Sequence, residues 1–431
     1  MQAGEAAGRF TRREWLLLAV LTAVQFCHVL DFVLVMPLGP MLMRSLEIGP
    51  RQFGMLVSAY TFSAAVSGLL AAAFMDRFDR KRMLLGLLAG FGIGTLLCGL
   101  TGQYAFLVAA RVVAGAFGGV MAGVVFAVIG DQFRPERRGT ATGIVMASFS
   151  AASVLGLPFG LSLAEHSGWQ TPFLLLAAIT VLVLVFGIFA LPPMRAHVAP
   201  VRDTGAFRGL WDVAREPRHL LAFGFTTAIM FSAFTVTPFL SPYLTRNVGV
   251  AETHLDLVYL AGGLATLVTG PVIGRLADRY GHARVFFAAA LVSVLPMLAV
   301  TNLPPAPLAV VLAITSLMMV MGSGRMISAT ALLTGVVDPR RRGSFMSLNA
   351  SVQQGAAGLA TLVGGLVIGD AADGRLTGYP LVGALAIGAT GLTLYLVTRL
   401  RPAAAPAPQY ETGAPPVAAP LEAPRQAAGA D

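Results

Sequence analysis

One aspartate in this chain stands where water is not expected. In His28-Val29-Leu30-Asp31-Phe32-Val33-Leu34-Val35-Met36-Pro37, Asp31 is the single one of 21 acidic residues that falls deep inside a long apolar run. At the centre of a bilayer-spanning helix a charged aspartate would cost on the order of 3 kcal/mol, so it should face a cavity or a partner rather than lipid. Two roles fit such a group: it takes up and releases a proton during a cycle, or it is the fixed half of an ion pair. His28 stands about 60° from Asp31 around a helix and is of a residue type that titrates near neutrality, so it is either a second proton carrier or a hydrogen-bonded polar residue. Two cations are equally isolated. Arg111 opens a series of small residues, Gly115, Gly119 and Gly123, that lets another helix come close. Arg325 has no deeply placed acid in its half of the chain, which calls for an anionic ligand or a cage of backbone carbonyls.

The elements that must position these residues follow from composition. The 431 residues are 56% hydrophobic and 12% charged, with 48 glycines, which excludes an ordinary water-soluble domain. Two cysteines, Cys27 and Cys98, lie in apolar runs and support neither a disulfide framework nor a metal cluster. The first apolar run is too long for a signal-peptide core and lacks a small-residue cleavage site, so it is expected to stay in the chain.

A helix needs about 20 apolar residues to cross a hydrocarbon core. Twelve such runs occur, predicting an all-α polytopic membrane protein with twelve transmembrane helices. Alternate connecting segments hold 24 of the 30 Lys and Arg residues and the opposite segments four, so both termini are expected on the cytoplasmic side of the cell (inner) membrane. The net charge of +9 is therefore topological and does not point to a nucleic-acid partner. The predicted organisation is a cytoplasmic N-terminus (1–14), a six-helix bundle (15–191), a cytoplasmic central loop (192–218), a second six-helix bundle (219–399) and a disordered Ala/Pro-rich tail (400–431). On this reading Asp31 is sixteen residues, about 24 Å, from one side of the bilayer and Arg111 seven residues, about 10 Å, from the other, so their depths coincide.

The halves repeat each other. Asp76-Arg77 recurs 202 residues later as Asp278-Arg279, and Pro135-Glu136-Arg137-Arg138-Gly139 recurs as Pro339-Arg340-Arg341-Arg342-Gly343 at an offset of 204. Two motifs with nearly one offset indicate an internal duplication and hence two pseudo-symmetric bundles.

Six plus six spans with Asp-Arg loops between spans 2 and 3 and between spans 8 and 9 resemble the major facilitator superfamily, from about Arg12 to Leu400. Its loop motif is matched in the second copy by Gly274, Asp278, Arg279 and Gly281. The first copy, with Asp76, Arg77 and Arg80, departs from it: Ala72 and Asp79 stand in place of glycines, and aspartate tolerates a left-handed turn. By the helix-dipole argument these loops are expected to gate, with Asp76 against the positive N-terminal end of span 11, near Ser344, and Asp278 against the end of span 5 near Thr140. The resemblance implies a role for Arg111 in proton coupling or substrate binding. Gly156, Pro158 and Gly160 in span 5 resemble, with Leu157 interrupting the usual Gly-Pro pair, the motif of the drug:proton antiporter branch; read structurally, they make a bend and a packing face.

The function expected is that of a secondary transporter working by alternating access, by proton-coupled efflux of a small amphipathic or sugar-like compound. Phe32, Met36, Phe231, Phe234 and Phe239 are candidates to line the cavity. The alternatives are proton-coupled uptake of a nutrient or organic anion, and a non-transporting receptor. The chain has no Gly-x-x-x-x-Gly-Lys-Ser/Thr loop and no clustered nucleophile and base, so neither ATP hydrolysis nor another enzyme activity is expected. The expected partners are a small-molecule substrate, protons and the lipid bilayer, acting on a monomer; the proton gradient supplies energy without a cofactor.

Overall fold

The computed structural model describes residues 10–71, 78–194, 206–338 and 341–400. The chain enters its first helix through a reciprocal cap: Thr11 Oγ1 accepts from the Glu14 amide at 3.2 Å, and Glu14 Oε2 accepts from the Thr11 amide at 2.7 Å. That helix, α1 (Arg12–Leu34), is followed by a short α2 (Gly39–Ser45), then α3 (Pro50–Ala71), α4 (Arg80–Leu100) and α5 (Tyr104–Gln132). The fifth crossing is composite. It comprises α6 (Pro135–Ala151), one turn of π-helix (Ala152–Gly156) and α7 (Leu157–Ser167), and α8 (Thr171–Ala190) completes the first bundle.

The central connection, expected as a loop, contains the helix α9 (Ala206–Arg215). Val213 is buried, Trp211 is exposed, and the Arg215 guanidinium stacks on the Trp211 ring at 4.3 Å, the two-sided make-up of a helix lying along an interface. The second bundle runs through α10 (Pro217–Phe234), a 3₁₀ turn and α11 (Leu240–Tyr243), α12 (Leu255–Tyr280), α13 (His282–Thr301), α14 (Leu308–Val336), α15 (Arg342–Val367) and α16 (Tyr379–Arg399). A departure from all-helical structure is a two-stranded ribbon, β1 (Gly369–Asp370) with antiparallel β2 (Leu376–Thr377), between α15 and α16.

Among the described residues eleven helices are long and apolar enough to cross a membrane, against the twelve expected. The twelfth, α15, has 26 residues but carries Asn349, Ser351, Gln353 and Gln354, which lower its hydropathy. It is shielded instead by α3, against which it packs along most of its length: Gly54 meets Thr361 and Gly365, Gly358 meets Thr61, and Gly68 meets Ser351. Apolar side chains on the outer helices turn outward, as on α8 (Leu182, Phe189), α13 (Leu295) and α16 (Leu381), as a lipid-facing surface requires.

The bundles join along two pseudo-equivalent seams, α3 on α15 and α7 on α12. The face bearing Arg12, Arg80 and Arg399 is the basic face, and its opposite the far face. Around the far face a single apolar core runs from α1 and α3 into Phe239, Leu240, Tyr243 and Tyr379 of the second bundle. Around the basic face the second bundle has its own separate core, built on Phe223, Phe286, Leu333 and Phe345. A shared apolar core thus seals the two bundles together around the far face, while around the basic face the second bundle keeps a core of its own. Residues 1–9, 72–77, 195–205, 339–340 and 401–431, with Asp76, Arg77, Ala72 and the expected tail, lie outside the described residues.

Candidate functional site

Asp31 sits in the last turn of α1, closer to the helix end than the apolar run implied, because α1 stops at Leu34. Its carbonyl is one of the four that a helix C-terminus leaves without an intrahelical partner, and the negative end of the helix dipole adds to the carboxylate's own charge. Arg111 answers both. Its Nη1 donates to Asp31 Oδ2 at 2.7 Å and approaches the Asp31 carbonyl at 3.5 Å. Thr95 Oγ1, from α4, donates to Asp31 Oδ1 at 3.2 Å. The pair is sealed: Asp31 is 0% exposed and Arg111 1%.

Tyr60, from α3, completes the cluster. The Arg111 guanidinium lies 4.3 Å from the centre of the Tyr60 ring, whose face attracts the cation, and the Tyr60 hydroxyl bonds His28 Nδ1 at 3.0 Å. His28 packs edge-on to Phe91 and is 8% exposed. The result is a continuous polar path His28–Tyr60–Arg111–Asp31 in an apolar bundle, with Arg111 Nε as a donor that has no partner. Small residues on α5 make it possible. A side chain at Gly115 would run into the Tyr60 backbone, and one at Gly118 into the Tyr60 hydroxyl and His28.

Sequence reasoning named Asp31, Arg111 and His28, and the structure brings these three together. Tyr60 and Thr95 were missed; their signal was a polar side chain inside an apolar run, which many residues of these spans share. Arg325 is not part of the cluster. It is buried on α14, and its one hydrogen bond is from Nη1 to Ser293 Oγ of α13 at 3.4 Å. The expected grouping fails because α14 presents Arg325 to α13, within the second bundle.

Gly156 and Gly160 form a packing face: a side chain at either would meet Leu30 or Leu34 of α1 at 2.8 Å. They seat the turn of α1 that carries Asp31. Pro158 follows the π-helical turn, which re-registers the backbone beside a residue that has no amide hydrogen to give.

Of the loop residues, Gly281 takes a left-handed φ of +92° and ends α12, which explains the glycine. Asp79 does not take the left-handed turn expected of it. At φ −58° it caps α4, accepting from the Lys81 amide at 2.9 Å, since a carboxylate suits the positive end of a helix. Arg80 is buried and bonds Asp131 Oδ2 at 3.0 Å, tying α4 to α5 within one bundle. Asp278 is not docked on the start of α6. Its side chain is 78% exposed and lies 3.7 Å from His282, one turn on in sequence. Arg279 stacks on Tyr280, and Gly274 has open space around it. Of the expected lining residues, Phe239 and Met36 are buried in the far-face seal, while Phe32 and Phe234 meet across the bundles at 6.0 Å between ring centres. A cleft of about 90 Å³ in the second bundle is lined by Thr226, Met230, Met326, Met346, Asn349 and Gln353.

The family model described as Major Facilitator Superfamily matches residues 21–240 and 222–428. The chain belongs to that superfamily. It is 27% identical over 271 residues to the uncharacterized MFS-type transporter YceJ of Bacillus subtilis (strain 168), covering 62% of this chain and 67% of that protein. It is 26% identical over 245 residues to the putative transporter AraJ of Escherichia coli (strain K12), covering 57% and 61%. The chain thus spans about three fifths to two thirds of the length of these relatives.

The fold is shared with a bacterial homologue of the human lysosomal transporter Spinster, in an inward-facing, unoccupied conformation, at a TM-score of 0.64, 16% identity, 91% of this chain and 95% of that one. It is shared too with a mutant of the nucleoside transporter NupG, at 0.71, 13% identity, 90% and 100%. A major facilitator works as a secondary transporter by alternating access, and the two bundles with their two seams are the parts that such a cycle moves.

Proposed function

We propose that this transporter couples proton entry to efflux of a small amphipathic or sugar-like compound, and that Asp31 is the residue that carries the proton. The observation behind this reading is the sealed Asp31–Arg111 pair, with His28 and Tyr60 leading to it. With Asp31 ionised, the two charges cancel and Thr95 and Tyr60 brace them. A proton on Asp31 removes the anion and leaves Arg111 as a net charge in a medium of low dielectric, so the two protonation states favour different arrangements of α1 against α5. A membrane potential supplies about 2.3 kcal/mol per charge per 100 mV, enough to bias that choice. The glycine-spaced contact of Gly156 and Gly160 with α1, resembling the antiporter motif, favours export. The basic face is then cytoplasmic, and the conformation described is the inward-open one. The alternative, uptake of an organic anion, rests on Arg325, which is buried in the second bundle apart from the Asp31–Arg111 pair.

The test is the full chain in proteoliposomes with a pH-sensitive dye in the lumen, under an imposed pH gradient, against a panel of neutral amphipathic compounds and sugars. A substrate is expected to evoke proton flux, and Asp31→Asn to abolish that flux while exchange of labelled substrate continues. Unchanged, pH-dependent transport by Asp31→Asn would overturn the assignment, and uptake with the gradient would overturn the direction.

A further inference from the structure

Arg325 brings a full positive charge into a region that has no negative one. No aspartate or glutamate stands on α10, α13, α14, α15 or α16, and those on α12, Asp256 and Asp278, sit in its first and last turns. Arg325 itself is 4% exposed, so water at the surface does not solvate it. Its Nη1 reaches Ser293 Oγ at 3.4 Å, but its Nε and Nη2 are buried without any hydrogen-bond partner.

Ser328 lies three residues on, about 60° around the same helix, so it shares the face that carries Arg325. A helical hydroxyl normally gives its proton to the carbonyl one turn back, and on this helix Thr315 and Thr330 do so at 2.8 Å each. Ser328 does not. Its hydroxyl is fully buried and makes no bond. Ser293 has already committed its own proton to the Ala290 carbonyl at 2.7 Å, which leaves it able to accept from Arg325 and fixes its orientation.

Three donors, two on a charged guanidinium, are therefore left open within one turn of α14. Each orphan donor is destabilising where it stands, and a buried cation without a counter-charge is more so. An acceptor that brings negative charge removes both costs at once.

We propose that Arg325 Nε and Nη2 and Ser328 Oγ bind a small monoatomic anion of the chloride class, held inside the second bundle apart from the Asp31–Arg111 cluster. Size follows from enclosure: Ser293, Arg325 and Ser328 are all buried, so nothing as large as an organic carboxylate is admitted. The anion neutralises α14 and locks it to α13, stabilising the bundle without taking part in proton coupling.

The test uses the purified full chain in detergent, unfolded by heat and followed with a thiol-reactive dye, for which the buried Cys27 and Cys98 are the reporters. Replacing gluconate by chloride or bromide at constant ionic strength is expected to raise the midpoint by about 2–4 °C, by mass action on the folded state. Ser328→Ala, which removes one donor and little volume, should need at least several-fold more halide for the same rise, and Arg325→Gln should show none. Should Arg325→Gln fail to fold, Ser328→Ala and bromide located by anomalous scattering carry the test. A midpoint indifferent to halide, as when water fills the site, overturns the proposal. So does a halide effect that Ser328→Ala leaves unchanged.

Discussion

At the scale of single residues, the Asp31–Arg111 pair is held by what surrounds it as much as by its own attraction. Removing both charges from a buried pair is often nearly neutral, whereas removing one strands the other and typically costs about 3–5 kcal/mol. Arg111→Gln should therefore lower the thermal midpoint of the purified protein sharply, and Asp31→Asn added to it should recover most of the loss. A double variant no more stable than Arg111→Gln alone would mean that Arg111 stabilises the bundle through its stacking on Tyr60, not through Asp31. This pair was legible in the sequence because charges are rare in these spans and the two lay at matching depth. Tyr60 and Thr95 were not, because a neutral polar side chain in a span is common and its partner depends on how helices cross. Arg325 was legible as an oddity and misplaced as to its neighbours for the same reason: depth can be counted along a chain, but the face a helix shows to its bundle cannot.

At the scale of elements, the site depends on how closely α3 approaches α5. Side chains at Gly115 and Gly119 would meet backbone atoms of Tyr60 and Ala64, which have no room to yield. Overpacking of this kind costs about 1–3 kcal/mol. Gly115→Ala and Gly119→Ala should therefore lower the thermal midpoint and the substrate-evoked proton flux together, while Gly130→Ala, on the same helix with open space around it, should leave both unchanged. Equal tolerance of all three would mean that α3 can move away without harm. The apolar runs that became these helices were legible to within a few residues, because twenty apolar residues have few other folds open to them. The breaks were harder. Neither the stop of α1 at Leu34 nor the π-helical turn at Ala152–Gly156 changes the hydropathy, and α9 in the central connection was hidden because its apolar residues are few and periodic rather than continuous. Asp79 was misread because the family motif suggested a glycine's job, while the helix behind it offered the carboxylate another.

At the scale of the whole molecule, the far-face seal decides which side is open. Besides its apolar core, in which Gly39 lies against Pro242 and Phe53 against Phe239, it contains, among the described residues, one ion pair that joins the two bundles: Arg44 of α2 donates to Glu252 Oε1 at 2.5 Å and to Oε2 at 3.1 Å. The hydrogen bond to Glu252 raises the Arg44 pKa above its ordinary value, so the guanidinium stays charged across any working pH. The neighbouring pair, Arg246 with Asp370 at 2.7 Å, lies within the second bundle and holds β1 beside it, so opening leaves it intact. Of these two ion pairs, the Arg44 pair is the one that must break when the far face parts. With Arg44 67% exposed and Glu252 24%, the pair is screened by water and contributes at most about 1 kcal/mol, a shift of about five-fold in the balance of open and closed states. Arg44→Ala should accordingly raise, by up to about that factor, the rate at which a membrane-impermeant thiol reagent labels a cysteine placed at Phe53, with Cys27 and Cys98 replaced by serine. Reversing the pair, Arg44→Glu with Glu252→Arg, should bring labelling back towards the original rate, and 0.5 M salt should narrow the difference. Labelling that ignores the reversal would assign the seal to the apolar contacts alone, and the equilibrium between the two faces would then be set by the packing of α3 on α15.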